Sequence, residues 1–262
     1  MNVIAVIPAR MGASRFPGKP MAKMHGMPMI GHCYYRTILA IGRGSTYVAT
    51  CDEEIASYIK GIGGKVIMTS SSHTRATTRS AEAMKLIESI EKTKIDIIIM
   101  VQGDEPLIQP KSIKEILPFF ESPNIDIVNI MSKIESYEQF IDKNNVKVVV
   151  DKDLNALYFS RESIPSPWKG IKKIPMFMQT GIIAFRRDIL LQFNDLQESP
   201  LEKIESIDMN RVLENSGSIK MLASNLISFG VDTRLELNEA EDIMRADKTL
   251  NKYLTLNRAK LI

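Results

Sequence analysis

The chain has 262 residues, 44% of them hydrophobic, with 34 Lys and Arg against 31 Asp and Glu for a formal charge of +3. This is enough apolar material for a sizeable core without a metal or disulfide staple, in one α/β domain or a domain with a modest second lobe. So small a basic excess argues against a nucleic-acid polymer as partner but leaves room for a locally positive cleft, and no apolar run reaches the roughly 20 residues that span a bilayer.

In chain order, Val3 to Ile7 is a β-branched run ending at Pro8 and reads as a first buried strand. A loop rich in Gly, Pro, Arg and Lys follows, and Met29 to Ile41 then has apolar residues at helical spacing. Thr46 to Thr50 reads as a second strand, and Asp52 is placed to cap a helix through Ile59, which Gly63-Gly64 stops. Lys65 to Met68 is a third strand, and Thr77 to Ser89 an amphipathic helix. Ile95 to Val101 is the most apolar strand and, broken only by Asp96, is expected to be buried on both faces in a parallel sheet. From about residue 126 the rhythm changes: Asp126 to Met131, Val146 to Val150, Ala156 to Phe159 and Gly181 to Phe185 are strands with few long helices between them. Leu201 to Asn215 and Leu235 to Asp247 read as closing helices. The expectation is an α/β fold with a doubly wound, mostly parallel central sheet, treated as one domain over residues 1–262 with a smaller mixed β extension around 126–190.

Three segments carry candidate chemistry. Pro8 to Pro20 follows the first strand, where an open α/β sheet places its ligand crevice; its small residues admit a phosphate, and Arg10, Arg15 and Lys19 offer charge-assisted donors. It lacks the G-x-x-x-x-G-K-[ST] order of a Walker loop, and its plain alternative is a solvated surface loop. Gln102-Gly103-Asp104-Glu105-Pro106 puts a carboxylate at the end of the central strand, suited to Mg²⁺ beside a triphosphate, and Gly230-Val231-Asp232-Thr233 could bring a second. Taken alone, each of these two reads as a turn or helix cap.

Together, and in this order, the segments resemble the 3-deoxy-manno-octulosonate (Kdo) cytidylyltransferases, or CMP-Kdo synthetases. The matching stretches are Ile7 to Arg10, Ser14 to Pro20, Val101 to Pro106, Asn145 to Val149, Ala156 to Arg161, Ser199 to Glu202 and Gly230 to Thr233. The resemblance implies a nucleotide-diphospho-sugar transferase-like fold and transfer of CMP from CTP to a small acidic sugar, with pyrophosphate as the other product. By the same resemblance Arg10, Arg15, Lys19, Ala76 and Arg79 bind CTP, and Asp104 and Asp232 hold Mg²⁺. Arg10, Lys19, Asp104 and Asp232 form the catalytic set, while Gln102, Arg161, Gln179 and Glu205 meet the sugar acid. A homodimer and a role in lipopolysaccharide or surface polysaccharide biosynthesis are implied as well.

The sugar side departs from that family. Its His-x-Ser-Gly-Thr-(Glu/Asp)-Arg is here His73-Thr74-Arg75-Ala76-Thr77-Thr78-Arg79, and its His-Leu-Gly-Ile-Tyr is Gln179-Thr180-Gly181-Ile182-Ile183. Its Glu-x-Leu-Glu-Gln-Leu-Arg becomes Glu205-Ser206-Ile207-Asp208-Met209-Asn210-Arg211. A modified Kdo-like acid is therefore weighed beside Kdo, with CMP activation of a nonulosonic acid, a hexose-1-phosphate nucleotidyltransferase and a nucleotide binder without turnover as rivals. The remaining features have plain readings. Cys33 and Cys51 are buried thiols, His25 and His32 serve packing or surface roles, and the 15 methionines fill core. Trp168 is read as a structural lid over a lobe, with stacking on a ligand as the alternative. Met1 to Ile7 is too short for a signal peptide's apolar region and Arg10 follows it, so a cytoplasmic location without membrane insertion is expected.

Overall fold

The computed structural model describes residues 1–12, 15–170, 175–224 and 229–258; Ala13 and Ser14 of the first loop lie outside them. The chain forms two compact units, Met1–Glu115 with Ile227–Ile262, and Ile116–Leu226. The β-rich stretch expected around 126–190 falls in the second.

In the first unit, β1 (Val3–Pro8) is followed by a hairpin, β2 (Lys23–Met24) and β3 (Met27–Pro28). The hairpin turns on His25 and Gly26 with φ of 45° and 80°, the left-handed pair that a tight two-residue turn needs. Then come α1 (Met29–Ile41), β4 (Thr46–Thr50), α2 (Glu53–Gly61), β5 (Lys65–Met68), α3 (Ala76–Glu91), β6 (Ile97–Val101) and the short α4 (Pro110–Lys114). The parallel strands run in the order β6-β1-β4-β5. Every residue of β4 and β6 is buried, and the uninterrupted apolar run of β6 is what a strand covered on both faces requires. Strand order reverses direction at β1, with β4 on one side and β6 on the other. That switch opens a crevice at the carboxyl ends of β1 and β6.

Behind the crevice Phe16, Met24, Met27, Met29, Tyr35 and Tyr253 share one buried cluster, so several methionines do fill irregular core. Tyr253 lies on α10 (Lys248–Arg258) and stacks on Tyr35 with ring centroids 5.5 Å apart. Its hydroxyl donates to His32 Nδ1 at 2.7 Å, while His32 Nε2 donates to the Met24 carbonyl at 2.8 Å. Both ring nitrogens serve the neutral tautomer, and burial pushes the imidazole down to about 4. Cys33 is buried, whereas Cys51 is only partly so.

The second unit holds β7 (Ile127–Lys133), α5 (Tyr137–Ile141), β8 (Lys147–Val150), β9 (Ala156–Ser160), β10 (Phe177–Arg186), α6 (Arg187–Asp195), α7 (Pro200–Glu205), α8 (Met209–Glu214) and β11 (Lys220–Ser224). β7 pairs with β11 in parallel and with β10 antiparallel, and β8 runs antiparallel to both β10 and β9. β10 starts four residues before the strand expected from Gly181, and its register shifts between Gln179 and Ile183. The single helix expected over Leu201 to Asn215 is instead two. Ser206 takes φ 55°, the left-handed conformation that ends a helix, and α8 restarts after Asp208. The break lets Arg211 on α8 reach back to Glu202 on α7 at 2.6 Å, an ion pair with side chains 5% and 0% exposed. The chain then returns to the first unit for α9 (Arg234–Arg245) and α10, the latter lying beyond the last helix expected from periodicity.

Candidate active site

The loop after β1 is pinned at several points, and together these aim Lys19. Ala9 N–H donates to the Ala49 carbonyl at 2.9 Å, extending the β1–β4 ladder, and Met11 N–H donates to Asp52 Oδ2 at 2.8 Å. Asp52 does stand at the N-cap position of α2, but its side chain makes no capping bond there; it serves the loop instead. Phe16 drops into the core with the Arg234 guanidinium 5.0 Å above its ring centroid. Gly18 adopts φ 73°, and its N–H returns to the Met11 carbonyl at 3.0 Å, closing the loop so that Lys19 opens a short 3₁₀ turn.

Two carboxylates meet that lysine. At the end of β6, Gly103 passes so close to β1 that an added Cβ would lie 3.1 Å from the Pro8 carbonyl oxygen and 3.0 Å from Ile30 Cδ1. Asp104 follows, and its carbonyl accepts from Val231 N–H at 2.9 Å, drawing the start of α9 alongside. Thr233 and Glu236 form a capping box, and Glu236 Oε2 also accepts from Asp232 N–H at 2.7 Å, fixing Asp232 at that helix end. Lys19 Nζ donates to Asp104 Oδ2 at 2.7 Å and to Asp232 Oδ1 at 3.0 Å, while Arg15 Nη2 donates to Asp232 Oδ2 at 2.8 Å. Burial is the largest influence on Lys19 and works against its charge, but the two aspartates outweigh it and hold the ammonium above its ordinary value.

Across from these residues, His73 to Arg79 forms another wall of a cavity of about 300 Å³. Arg10 Nη1 and Arg79 Nη2 both donate to the His73 carbonyl, at 3.4 and 3.3 Å. Arg79 Nη1 also donates to Thr69 Oγ1 at 2.6 Å, so this buried guanidinium shapes the segment as well as lining the cavity. His73 Nε2 lies 2.5 Å from Glu82 Oε2. Arg10, Arg15, Lys19, Ala76, Arg79, Gln102, Asp104 and Asp232 all line this one cavity, which lies wholly within the first unit. Among the described residues that line it, the cations Arg10, Arg15, Lys19, Arg75 and Arg79 outnumber the carboxylates of Asp104 and Asp232, a balance suited to a polyanion.

Arg161, Gln179 and Glu205 belong to the second unit. Glu205 Oε1 accepts from Tyr158 OH at 3.0 Å and Ser160 Oγ at 2.7 Å, and its Oε2 accepts from Arg161 N–H at 2.8 Å. Burial alone would raise this carboxyl, but those three donors prevail and hold it below its ordinary value. In the structure Glu205 therefore braces the end of β9. Arg161 Nε and Nη1 donate to the carbonyls of Glu205 and Lys143, at 2.8 and 2.9 Å. Gln179 Nε2 donates to Asn129 Oδ1 at 2.8 Å, and the fully buried Asn129 sends its own Nδ2 to the carbonyls of Ile130, Thr180 and Ile182 at 2.9–3.1 Å. Three carbonyls around Nδ2 admit only one amide orientation, so Asn129 presents an acceptor and Gln179 must turn its amine toward it.

Sequence reasoning missed His73 as cavity lining and the roles of Asn129 and Asp52. A lone Asn inside an apolar strand was the available signal for Asn129, since a buried amide needs partners. Trp168 is 88% exposed and so covers no lobe among the described residues, contrary to a lid.

The sequence model of the cytidylyltransferase family matches residues 4–221. A 3-deoxy-manno-octulosonate cytidylyltransferase of Geobacter metallireducens is 39% identical over 250 residues, covering 91% of this chain and 96% of its own. An 8-amino-3,8-dideoxy-manno-octulosonate cytidylyltransferase of Shewanella sp. (strain ANA-3) is 39% identical over 249 residues, covering 94% and 100%. A solved CMP:2-keto-3-deoxy-manno-octonic acid synthetase complexed with CTP superposes with a TM-score of 0.82 at 35% identity, over 94% of this chain and 99% of that one. A glucose-1-phosphate thymidylyltransferase structure at 16% identity and a TM-score of 0.66 shares the fold alone. With a crevice lined by several cations at the strand switch and this similarity along nearly its whole length, the chain belongs to the 3-deoxy-manno-octulosonate cytidylyltransferase family, and is a CTP-dependent nucleotidyltransferase acting on a Kdo-like acid.

Proposed function

We propose that the cavity of the first unit binds CTP with Arg10, Arg15, Lys19, Ala76 and Arg79, and that Asp104 and Asp232 hold Mg²⁺ beside its phosphates. The observation that carries this is the convergence of two carboxylates from distant segments on one ammonium, at 2.7 and 3.0 Å. Carboxylates so placed already face a shared cation. Among the described residues no group of three or more His, Cys, Asp or Glu side chains could hold a metal alone. Two hard oxygen ligands completed by phosphate oxygens and water suit Mg²⁺. When bound, the ion would neutralise charge on the triphosphate and polarise a phosphoryl oxygen.

Lys19 keeps its proton at neutral pH, so it acts as a fixed donor to phosphate rather than as a proton shuttle. The arginines orient the triphosphate for attack by the sugar acid's anomeric hydroxyl on the α-phosphorus. The new O–P bond forms as the α–β bridging bond breaks, pyrophosphate leaves with that electron pair, and the hydroxyl proton passes to water. No covalent enzyme intermediate is needed; catalysis is positioning and charge neutralisation.

On the acceptor side, Gln102 and Arg161 meet the sugar acid, with Arg161 the partner of its carboxylate. Gln179, its amine spent on Asn129, offers Oε1 to a hydroxyl or ammonium donor of the substrate. This favours Kdo or an amino-substituted Kdo over acids lacking a donor there, because a half-buried amide oxygen left unpaired by the wrong acid disfavours it. The working enzyme is read as a cytoplasmic homodimer supplying CMP-sugar for lipopolysaccharide or surface polysaccharide; no described helix is long and apolar enough to cross a membrane.

The test is Mg²⁺-dependent pyrophosphate release from CTP with Kdo, amino-substituted Kdo and nonulosonic acids offered separately. Release with the first or second is expected. Release only with a nonulosonic acid would replace the substrate assignment, and no release with any acid would leave a nucleotide binder.

A further inference from the structure

Arg75 breaks a local rule. It occupies the N-cap of α3, a helix of 16 residues, with the extended backbone of a cap (φ −109°, ψ 147°), yet its side chain makes no capping hydrogen bond. Ser, Thr, Asp and Asn are favoured there because a side-chain oxygen accepts from the free N–H groups of the first turn; a guanidinium has only donors. A cation at this end also opposes the helix dipole. The first turn of α3 contains no acidic residue to offset it, and Arg79 adds a second cation. A residue so poorly matched to its helix is expected where function outweighs local stability.

Its surroundings supply the function. Arg75 lines the same cavity as Arg10, Arg15, Lys19 and Arg79. The carbonyl two residues earlier, that of His73, gathers the guanidinium groups of Arg10 and Arg79. Three arginines thus flank one short segment, while the cavity's two carboxylates engage Lys19 and Arg15. We propose that Arg75 binds the phosphate chain of CTP, a contact for which the family pattern described above, with serine at this position, has no counterpart. The guanidinium supplies paired, charge-assisted donors to phosphate oxygens. A bound polyphosphate would also lie favourably at the positive end of the helix dipole, which Arg75 itself opposes.

This rests on the cavity being the CTP site, and the experiment separates the two claims. Arg75→Ser restores a good cap, so the variant should fold and, without nucleotide, melt about 1–3 °C higher than the parent. At the same time its KM for CTP should rise about tenfold or more, with kcat and the KM for the acid within threefold of the parent. The CTP dependence should become less sensitive to ionic strength, and Arg75→Lys should recover part of the affinity. A purely structural arginine would move stability and affinity together. A CTP KM unchanged within twofold in Arg75→Ser, or a shift in the acid's KM instead, overturns the inference. Absence of CTP-dependent pyrophosphate release in the parent would sink the underlying site assignment.

Discussion

The charged side chains around the first unit's cavity and those buried in the second unit are used in opposite ways. In the first, Arg10, Arg15, Lys19, Asp104 and Asp232 surround a cavity and are partly open to it, and a single ammonium joins carboxylates from sequence positions more than a hundred residues apart. In the second, the buried charged groups are turned inward and spent on the chain itself. Lys147 is buried and donates to the carbonyls of Asp142, Asn145 and Arg161 at 2.5–2.8 Å, and Arg211 is locked on Glu202. Burial holds the Lys147 ammonium below its ordinary value despite the acids around it. An ion pair facing a cavity can exchange its partner for a ligand, whereas a buried one can only be broken.

This contrast can be broken experimentally. The largest effect is expected from Glu202→Gln, which keeps the capping-box geometry but leaves Arg211 buried without its counterion. A loss of roughly 3–5 kcal/mol, on the order of 10 °C in Tm, should appear in a thermal melt, with the KM for CTP of the remaining folded enzyme unchanged. Lys19→Met should do the reverse, lowering kcat/KM on the order of 10²–10³ while shifting Tm by only a few degrees. If Lys19→Met unfolded the protein, its ion pairs would be scaffold after all.

A third measurement probes the core behind the cavity. Because His32 is held neutral, with its folded value lowered to about 4 from an ordinary 6.5, the stability it contributes is complete above pH 6.5 and is lost as pH falls toward 4. The loss amounts to about 3 kcal/mol. His32→Gln retains a donor for the Met24 carbonyl and an acceptor for Tyr253, and should flatten the acid limb of the stability–pH curve. An unaltered slope would place the titrating group elsewhere. The smallest effect is expected from Arg234→Ala, which removes the stack on Phe16 for about 0.5–1 kcal/mol of stability and loosens the loop carrying Lys19. A CTP KM raised about threefold or less would reflect that loosening, and no change at all would mean that Phe16 alone anchors the loop.

Much of the first unit was legible because its elements are local. The boundaries of α1, β4 and β5 coincide with those read from periodicity and glycine stops. The second unit was less so. β10 reads poorly because Gln179 and Thr180 interrupt its apolar pattern, the amine of one and the hydroxyl of the other being satisfied by Asn129 and the Ile130 carbonyl on the neighbouring strand, which periodicity cannot register. The split between α7 and α8 was hidden because Ser206 carries no glycine-like signal, and the left-handed turn there accompanies the Arg211–Glu202 contact rather than any local preference. Asp52 illustrates the same limit. Its place before α2 was evident, but its carboxylate is drawn to Met11 N–H, which arrives from 41 residues away.

The parallel strands of the first unit, the crevice after β1 and β6, and the candidacy of Arg10 and Lys19 for phosphate and of Asp104 and Asp232 for a metal were written in the residues themselves, whereas the β2–β3 hairpin was not. Apolar period, turn residues and small-residue loops act over a few positions, so they survive in a linear string. Which charges converge, which amide turns its oxygen outward, and which carboxylate braces a strand were settled only by the fold. Hydrogen bonds and ion pairs act over about 3 Å between side chains that may be distant in sequence. Only folding determines which groups come within that reach.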